Sequence, residues 1–326
     1  MRQHDIVVIG ASAGGIGALT KLFSQFPQDL QAVFLVVLHL SPESPGMLAQ
    51  LLDRAGPLTA TTAKDNEVIC PGHVYVAPPD MHMLVKPDGL RLYRGPRENR
   101  HRPAIDPLFR SAAIAYSTRT IGVVLTGYLD DGTSGLIAIK RCGGLAVVQD
   151  PEDAEYPDMP KNAIAEVEID YQLPIDKMGS VLQQLITQPA SAGVAIPDDI
   201  YMEARIAEPT ASNIGCENRL GHPVAVSCPE CNGPLWRMDT HGGKRYRCHV
   251  GHAFTAKALL ASQDRALEQA LWAAMRTLEE RSNTTSIMAK YEVKKGRYRS
   301  AQTYQEQSDT SKAHALLIRR LLMEGA

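Results

Sequence analysis

A serine flanked by glycines between a predicted strand and a predicted helix is the feature that most constrains this fold. The apolar run Ile6–Ile9 predicts a buried strand, and a helix-forming run begins at Ile16. Between them lies Gly10-Ala11-Ser12-Ala13-Gly14-Gly15. Small residues are needed where the chain reverses sharply, and G-x-S-x-G at such a turn is typical of a nucleophile elbow. The turn also places Ser12 at a helix N-terminus, where free backbone N–H groups can stabilise an oxyanion.

The same segment also fits a degenerate G-x-G-x-x-G loop, which would bind a dinucleotide pyrophosphate. Binding of a dinucleotide needs Asp or Glu at the end of the second strand. The predicted strand Ala32–Leu38 is followed directly by His39. A later buried run leads to Asp130 and Asp131. Because functional groups of parallel sheets gather at the carboxyl ends of strands, Ser12, His39 and one of these aspartates can converge. This pattern favours a nucleophile with a base and an acid.

Composition and periodicity predict the fold class and the cellular setting. Strand and helix patterns alternate up to about residue 185, which predicts an α/β fold. We expect a doubly wound, mostly parallel sheet with helices on both faces, followed by a small zinc-ribbon-like module and a helical hairpin. The net charge of -2 and the absence of a nucleic-acid motif argue against nucleic-acid binding. We expect a cytoplasmic protein without membrane insertion, since no apolar run is long enough for a span.

Cysteines and histidines after a polar linker predict a metal site. The segment Cys228-Pro229-Glu230-Cys231 is followed by Cys248-His249-Val250-Gly251-His252, with two short strand patterns between them. Zinc ribbons have this organisation, and so small a module would depend on the metal for folding. We expect a structural zinc held by Cys228, Cys231, Cys248 and His252. His249 is the alternative fourth ligand, and a redox C-x-x-C is the alternative function.

Two amphipathic stretches follow the metal site and predict the helical hairpin. The first spans about residues 255–282, with Thr255 as its N-cap, and the second spans about residues 311–323. Their apolar positions suit packing between the two helices, and a signalling partner is the alternative. The predicted domains are a catalytic domain (1–186), a linker (187–222) with a short helix near 199–205, the zinc-ribbon-like module (223–254) and the hairpin (255–326).

A basic stretch between residues 86 and 102 also has two interpretations. It can form an exposed hairpin in which Met83–Val85 pairs with Leu90–Tyr93, or it can receive an acidic receptor. His82 precedes this stretch, and we expect it at the rim of the active-site pocket.

Residues 5–185 resemble the catalytic domain of the chemotaxis protein-glutamate methylesterases, the CheB family. The resemblance rests on six segments that occur in order, since each alone is much less specific. They are Ile9–Gly15, Leu38-His39, Gly72–His82, Arg102–Ala113, Leu125–Gly132, and Gln149–Glu152 with Met159-Pro160 and Ala163. The familiar enzymes also carry an N-terminal receiver domain, which we expect to be absent here, so that activity would be constitutive or controlled through the tail.

The resemblance implies roles for individual residues. It assigns the nucleophile to Ser12, the base to His39 and the acid to Asp131, with Asp130 beside it as the competing carboxylate. The oxyanion would be held by the backbone N–H groups of Ala13 and Tyr128. The implied reaction is hydrolysis of glutamate methyl esters on methylated chemoreceptor-type proteins, with glutamine deamidation as a second activity and no cofactor for catalysis. The alternative is a non-catalytic signalling or scaffold protein that acts through its C-terminal module.

Overall fold

The structure is a computed structural model that describes residues 3–207, 221–238 and 244–324. Its contacts divide the chain into two compact units, Met1–Leu259 and Leu260–Ala326. The first unit contains an α/β sheet and a cysteine-containing antiparallel sheet, and the second is helical. The predicted division into four segments stays a prediction.

A seven-stranded parallel sheet forms the centre of the first unit. Its strands are β1 (Ile6–Ala11), β2 (Val33–Leu38), β3 (Thr59–Thr62), β4 (His73–Val76), β7 (Thr120–Val124), β8 (Leu145–Gln149) and β9 (Tyr171–Leu173). The order across the sheet is β3-β4-β2-β1-β7-β8-β9. Two further strands, β5 (His82–Lys86) and β6 (Gly89–Tyr93), pair as an antiparallel hairpin, as predicted. The three strands β1, β2 and β7 are buried at every position, which fits their continuous apolar sequences.

Helices cover both faces of the sheet and make two separate cores. They are α1 (Gly15–Phe23), α2 (Leu48–Ala55), α3 (Ile105–Tyr116), α4 (Thr133–Arg141), α5 (Asp158–Glu166), α6 (Ile175–Thr187) and α7 (Asp198–Ala207). Helices α1, α2 and α6 contribute to one core, whereas α3, α4, α5 and α7 contribute to the other. The predicted fold class is therefore confirmed. Helix α7 matches the short helix expected in the linker, and residues 208–220 of that linker lie outside the described residues.

The Cys-rich module, defined here as residues 221–259, consists of a four-stranded antiparallel sheet and the first turn of the helix that follows it. Its strands are β10 (Gly221–Ser227), β11 (Pro234–Met238), β12 (Arg245–Cys248) and β13 (Ala253–Thr255), in that order. The two strand patterns predicted between the cysteine-containing segments correspond to β11 and β12, and residues 239–243 lie outside the described residues. The buried core of the module is small and includes two cysteines. It consists of Cys228, Leu235, Cys248, Phe254, Ala258 and Leu259.

Two long helices end the chain, α8 (Ala256–Lys294) and α9 (Tyr298–Glu324), and the second unit contains α8 from Leu260 onward together with α9. Helix α8 begins as predicted, because the Thr255 hydroxyl accepts a hydrogen bond from the N–H of Ala258. Both helices are longer than their apolar patterns indicated, and the turn between them contains Gly296 at φ 72°. The helices pair closely where Ser282 and Ser308 exchange hydrogen bonds. No helix among the described residues is both long and apolar enough for a bilayer span.

Truncation of Phe34 tests the core that joins β2 to α1. The Phe34 ring lies in T-shaped contact with Phe23 at 5.5 Å and near Phe26 at 4.9 Å, and its side chain is fully buried. We expect Phe34→Ala to lower the free energy of unfolding by about 3–5 kcal/mol, because it leaves a cavity between well-packed rings. Denaturant unfolding measures the change. The control is Val68→Ala at an exposed position, and an equal effect of both variants would contradict this account.

Candidate active site

Strand register places Ser12 and His39 side by side at the carboxyl edge of the sheet. Strands β1 and β2 pair in parallel with Ala11 opposite Leu38. The residues that follow these two strands, Ser12 and His39, therefore leave the sheet at the same level. On the other side of β1, the N–H of Ser12 donates to the carbonyl of Thr126 at 3.0 Å. Three neighbouring strands therefore deliver their connecting loops to one point.

The loops around Ser12 require glycine at two positions. Gly14 has φ 73° and precedes α1, so a side chain there would be strained. A Cβ on Gly127 would lie 2.6 Å from the Cβ of Ser12 and 2.2 Å from the sulfur of Met159. The loop after β7 consequently lies directly against Ser12.

Ser12, His39 and Asp131 form a continuous chain of hydrogen bonds. His39 Nδ1 lies 3.1 Å from the Ser12 hydroxyl, and His39 Nε2 lies 2.8 Å from Asp131 Oδ2. When Nε2 carries the proton and donates it to Asp131, Nδ1 is free to accept from Ser12. In this site Nδ1 faces the serine and Nε2 faces the aspartate. In the chymotrypsin-type arrangement the orientation is reversed, because Nε2 faces the serine. The imidazole and the carboxylate are both buried.

Asp131 is held at the N-termini of two helices. Its Oδ2 accepts from the N–H of Ile105 at 2.7 Å, and its Oδ1 accepts from the N–H groups of Asp106 at 3.3 Å and Gly132 at 3.1 Å. Ile105 and Asp106 open α3, and Gly132 caps α4. Burial raises the pKa of Asp131, but the hydrogen bond and charge of His39 together with the Ile105 N–H outweigh burial and lower that pKa. Asp131 is therefore an anion, and an anion at this position can stabilise a positive charge on the neighbouring imidazole.

A second buried carboxylate, Asp106, lies beside Asp131. The Asn99 side-chain N–H group donates to both, at 2.9 Å to Asp131 Oδ1 and 2.8 Å to Asp106 Oδ2. Burial and the neighbouring charge of Asp131 raise the pKa of Asp106. Asn99 is thus the side chain that joins the two carboxylates and fixes the second oxygen of Asp131.

His101 stacks on His39, a contact that no sequence pattern indicated. The ring centroids are 3.6 Å apart and the ring planes differ by 5°. Burial, and then the charge of His39, lower the pKa of His101 to about 3, so its ring is neutral near pH 7. A neutral ring on one face of His39 restricts rotation of the imidazole without adding positive charge. Asn99 and His101 belong to one short segment of the basic stretch, just before the matching segment that begins at Arg102, and no sequence pattern indicated that they contact the site.

The predicted oxyanion donors lie on the loops next to Ser12. In the described parts of the chain, the N–H groups of Ala13 and Tyr128 make no hydrogen bond with another group. Tyr128 is exposed, and its ring contacts that of Tyr156 at 4.6 Å. Two aromatic rings therefore pack beside the loop that contacts Ser12. Among the described residues, the backbone N–H groups of Ala13 and Tyr128 are free.

Two other polar residues lie away from the serine. Asp130 accepts from the Thr255 hydroxyl at 2.7 Å and does not contact His39. His82, expected at the pocket rim, is instead fully buried, with Nε2 at 2.9 Å from the Pro96 carbonyl and Nδ1 accepting from the N–H of Ala104. It is a core histidine whose two ring nitrogens are both satisfied.

The four predicted metal ligands form one cluster in the Cys-rich module. The ligand atoms of Cys228, Cys231, Cys248 and His252 all lie within 4.8 Å of one another. The sulfurs of Cys231 and Cys248 are 3.7 Å apart, and Cys248 sulfur is 3.4 Å from His252 Nδ1. A tetrahedral zinc ion with Zn–S bonds of about 2.3 Å separates two sulfurs by about 3.8 Å. The cluster therefore fits a Cys₃His metal ion, and His249 is not part of it.

Comparison with known proteins identifies relatives of the sheet domain. Residues 7–182 match the family model described as CheB methylesterase. A curated relative from Leptospira interrogans is 39% identical over 184 residues, which are 56% of this chain and 95% of that protein. The Pyrococcus abyssi protein-glutamate methylesterase/protein-glutamine glutaminase is 35% identical over 191 residues. These cover 57% of this chain but 52% of the relative, so the chain spans about half the length of that protein.

A solved structure has the same fold. The crystal structure of the Thermotoga maritima CheB methylesterase catalytic domain matches with a TM-score of 0.55 and 37% sequence identity. The match covers 56% of this chain and 98% of the Thermotoga domain.

The stacked histidine predicts a specific dependence of stability on pH. With its folded-state pKa near 3 against the usual 6.5, His101 is protonated between these values only in the unfolded chain, so it makes stability fall as pH decreases. One such group contributes a slope of up to about 1.4 kcal/mol per pH unit. We expect His101→Phe to reduce the slope measured by urea unfolding between about pH 7 and about pH 5. His314→Phe, at an exposed position of α9, is the control, and an equal slope for both variants and the wild type would refute this role.

Proposed function

The chain belongs to the CheB methylesterase family and is a carboxylic ester hydrolase, and from this premise we propose that it hydrolyses glutamate methyl esters on chemoreceptor-type proteins. The observation that carries the proposal is the hydrogen-bonded series from Ser12 through His39 to the buried Asp131. The names of the relatives support glutamine deamidation as a second reaction of the same site. A receptor substrate on the inner side of a membrane would require a cytoplasmic location.

The first half-reaction forms an acyl-enzyme. As Ser12 Oγ attacks the ester carbonyl, His39 Nδ1 takes the hydroxyl proton. The carbonyl oxygen becomes an oxyanion, which the free N–H groups of Ala13 and Tyr128 stabilise by hydrogen bonds. His39 then gives the proton from Nδ1 to the departing methoxide, and methanol leaves while the glutamyl group stays on Ser12.

The second half-reaction regenerates the serine. A water molecule attacks the acyl carbonyl and loses its proton to His39 Nδ1. The tetrahedral intermediate then expels Ser12 Oγ, which takes that proton back from His39. The glutamic acid product loses the second proton of the water to solvent and leaves as a carboxylate. Throughout, the Asp131 anion stabilises the imidazolium and holds the proton on Nε2 without accepting it. In deamidation the same steps release ammonia in place of methanol.

We further propose that Cys228, Cys231, Cys248 and His252 hold a structural zinc ion. The distances among their ligand atoms suit tetrahedral coordination, and all four positions are filled by protein groups. When bound, the ion supplies folding free energy to a module whose apolar core is small. Catalysis at Ser12 needs no cofactor in this mechanism.

Removal of single side chains tests the esterase. We expect Ser12→Ala and Asp131→Asn each to lower the rate of methanol release from methyl-esterified receptor membranes about 10³-fold or more, because loss of one triad member disables the unit. Ser180→Ala and Asp29→Asn, at exposed positions outside the hydrogen-bonded series of Ser12, His39 and Asp131, are matched controls. A folded wild type that releases no methanol from several receptors would instead favour the non-catalytic scaffold.

Metal analysis tests the zinc site. We expect about one zinc ion for each purified chain, and we expect Cys228→Ser to lose most of it because three ligands bind zinc far more weakly than four. Cys70→Ser is the control, since Cys70 is exposed and lies outside the cluster. Full zinc content in Cys228→Ser would contradict the assignment of ligands.

A further inference from the structure

The Cys-rich module pairs its last strand with the segment that contacts the catalytic acid and base. This segment, the 97–101 loop, runs from Arg97 to His101. The N–H of Ala253 donates to the Arg97 carbonyl at 3.3 Å, and the Asn99 N–H donates to the Ala253 carbonyl at 2.8 Å. The N–H of Thr255 donates to the Asn99 side-chain oxygen at 3.0 Å. The loop therefore forms a single parallel β-bridge with β13, in which Glu98 lies opposite Ala253.

From this pairing we propose that the Cys-rich module positions the catalytic residues: it fixes the 97–101 loop, whose Asn99 and His101 orient Asp131 and His39. The proposal extends the proposed function, since it assumes that Ser12, His39 and Asp131 are the reacting groups. It implies that metal occupancy of a site outside the active site sets the rate of ester hydrolysis.

The tip of the 97–101 loop is a tight turn in which Glu98 and His101 exchange backbone hydrogen bonds. Asn99 and Arg100 have φ values of 49° and 74°, in the left-handed region that non-glycine residues avoid. Two consecutive residues with positive φ are typical of the centre of a type I′ turn, where asparagine is favoured. The side-chain oxygen of Asn99 is occupied by the module, which leaves its N–H group directed at Asp131 and Asp106. The module thus fixes the orientation of the Asn99 amide.

Buried charge ties the module to the same loop. Glu98 is 1% exposed and accepts from Arg110 of α3 at 3.0 Å and from Arg247 of β12 at 2.9 Å. Arg245 of β12 lies 3.5 Å from Glu98 and pairs with Glu203 of α7. Burial raises the pKa of Glu98, but these guanidinium groups lower it more strongly, so the carboxylate stays charged. A buried anion that lost two of its three cations would not keep this position.

The module also contacts the loop that carries Asp131. The Thr255 hydroxyl donates to Asp130, the neighbour of Asp131, at 2.7 Å. Lys257 contacts the side-chain oxygen of Asn162, whose N–H group donates to the Leu129 carbonyl. Leu129 is itself in the left-handed region, at φ 62°. The module therefore contacts both the 97–101 loop and the loop that carries Asp131.

The route from metal to active site is short. Cys248 ends β12 and His252 precedes β13, and the N–H of Cys248 donates to the His252 carbonyl at 2.9 Å. Arg247, which binds Glu98, precedes Cys248, and Ala253, which pairs with Asn99, follows His252. Because two of the six residues in the small core of the module are ligands, metal loss would disorder these strand ends.

Hydrogen exchange of the full-length chain with and without zinc tests the coupling directly. Zinc is removed with a chelator and the amides are followed by mass spectrometry. We expect residues 97–101 to lose protection together with the module, while β1 keeps its protection. Unchanged protection of the 97–101 loop, with the module fully exchanging, would overturn the proposal. This result does not depend on turnover, so it separates the coupling from the proposed esterase function.

Kinetics of variants test the same proposal at the reacting groups. We expect Asn99→Ala to lower kcat about 10- to 100-fold with little change in KM and with full zinc content, because Asp131 loses an orienting donor. Cys228→Ser should lower kcat similarly, and Cys70→Ser should not. Thr255→Val should lower kcat because it removes the hydroxyl that contacts Asp130. Thr255→Ser keeps this hydroxyl and should therefore have the kcat of the wild type. Wild-type kcat in both Asn99→Ala and zinc-free Cys228→Ser would overturn the proposal.

Discussion

The buried carboxylate of Asp131 is the group on which the arrangement of the site depends. An anion removed from water must be compensated by donors, and here the compensation comes from an imidazole, an amide side chain and the first N–H groups of two helices. Each donor belongs to a different element, so their shared acceptor fixes α3, the end of β2 and the loop before α4 against one another. The same contacts that stabilise the charge therefore assemble the site.

The parallel sheet and its elbow were predictable from the sequence because both depend on local patterns. Continuous apolar runs predict buried strands, and the glycines around Ser12 mark the turn that follows β1. The alternative of a dinucleotide-binding loop was disfavoured because His39, and not an acidic residue, follows the second strand. In the structure His39 contacts Ser12. The roles of Ser12, His39 and Asp131 in catalysis stay predictions.

The support of the site was not predictable, because it consists of contacts between distant polar residues. Arg247 and Glu98 are separated by 149 positions, and no sequence pattern indicates that they form a pair. The basic stretch after residue 86 was interpreted as exposed or as receptor-binding, yet Arg102 pairs with Asp80 within the same domain. His82 was misplaced for a related reason, since burial of a polar ring depends on partners that come from other segments.

The register of β1 and β2 has a consequence for how such a chain can vary in length. The nucleophile and the base each follow a strand directly, and 27 positions separate them in sequence. Insertions or deletions in the connection between α1 and β2 leave both residues at the sheet edge, since loop length hardly affects the strands. A single residue inserted within either strand would instead move one side chain to the opposite face. Divergent homologues should therefore differ in length between these strands and agree within them.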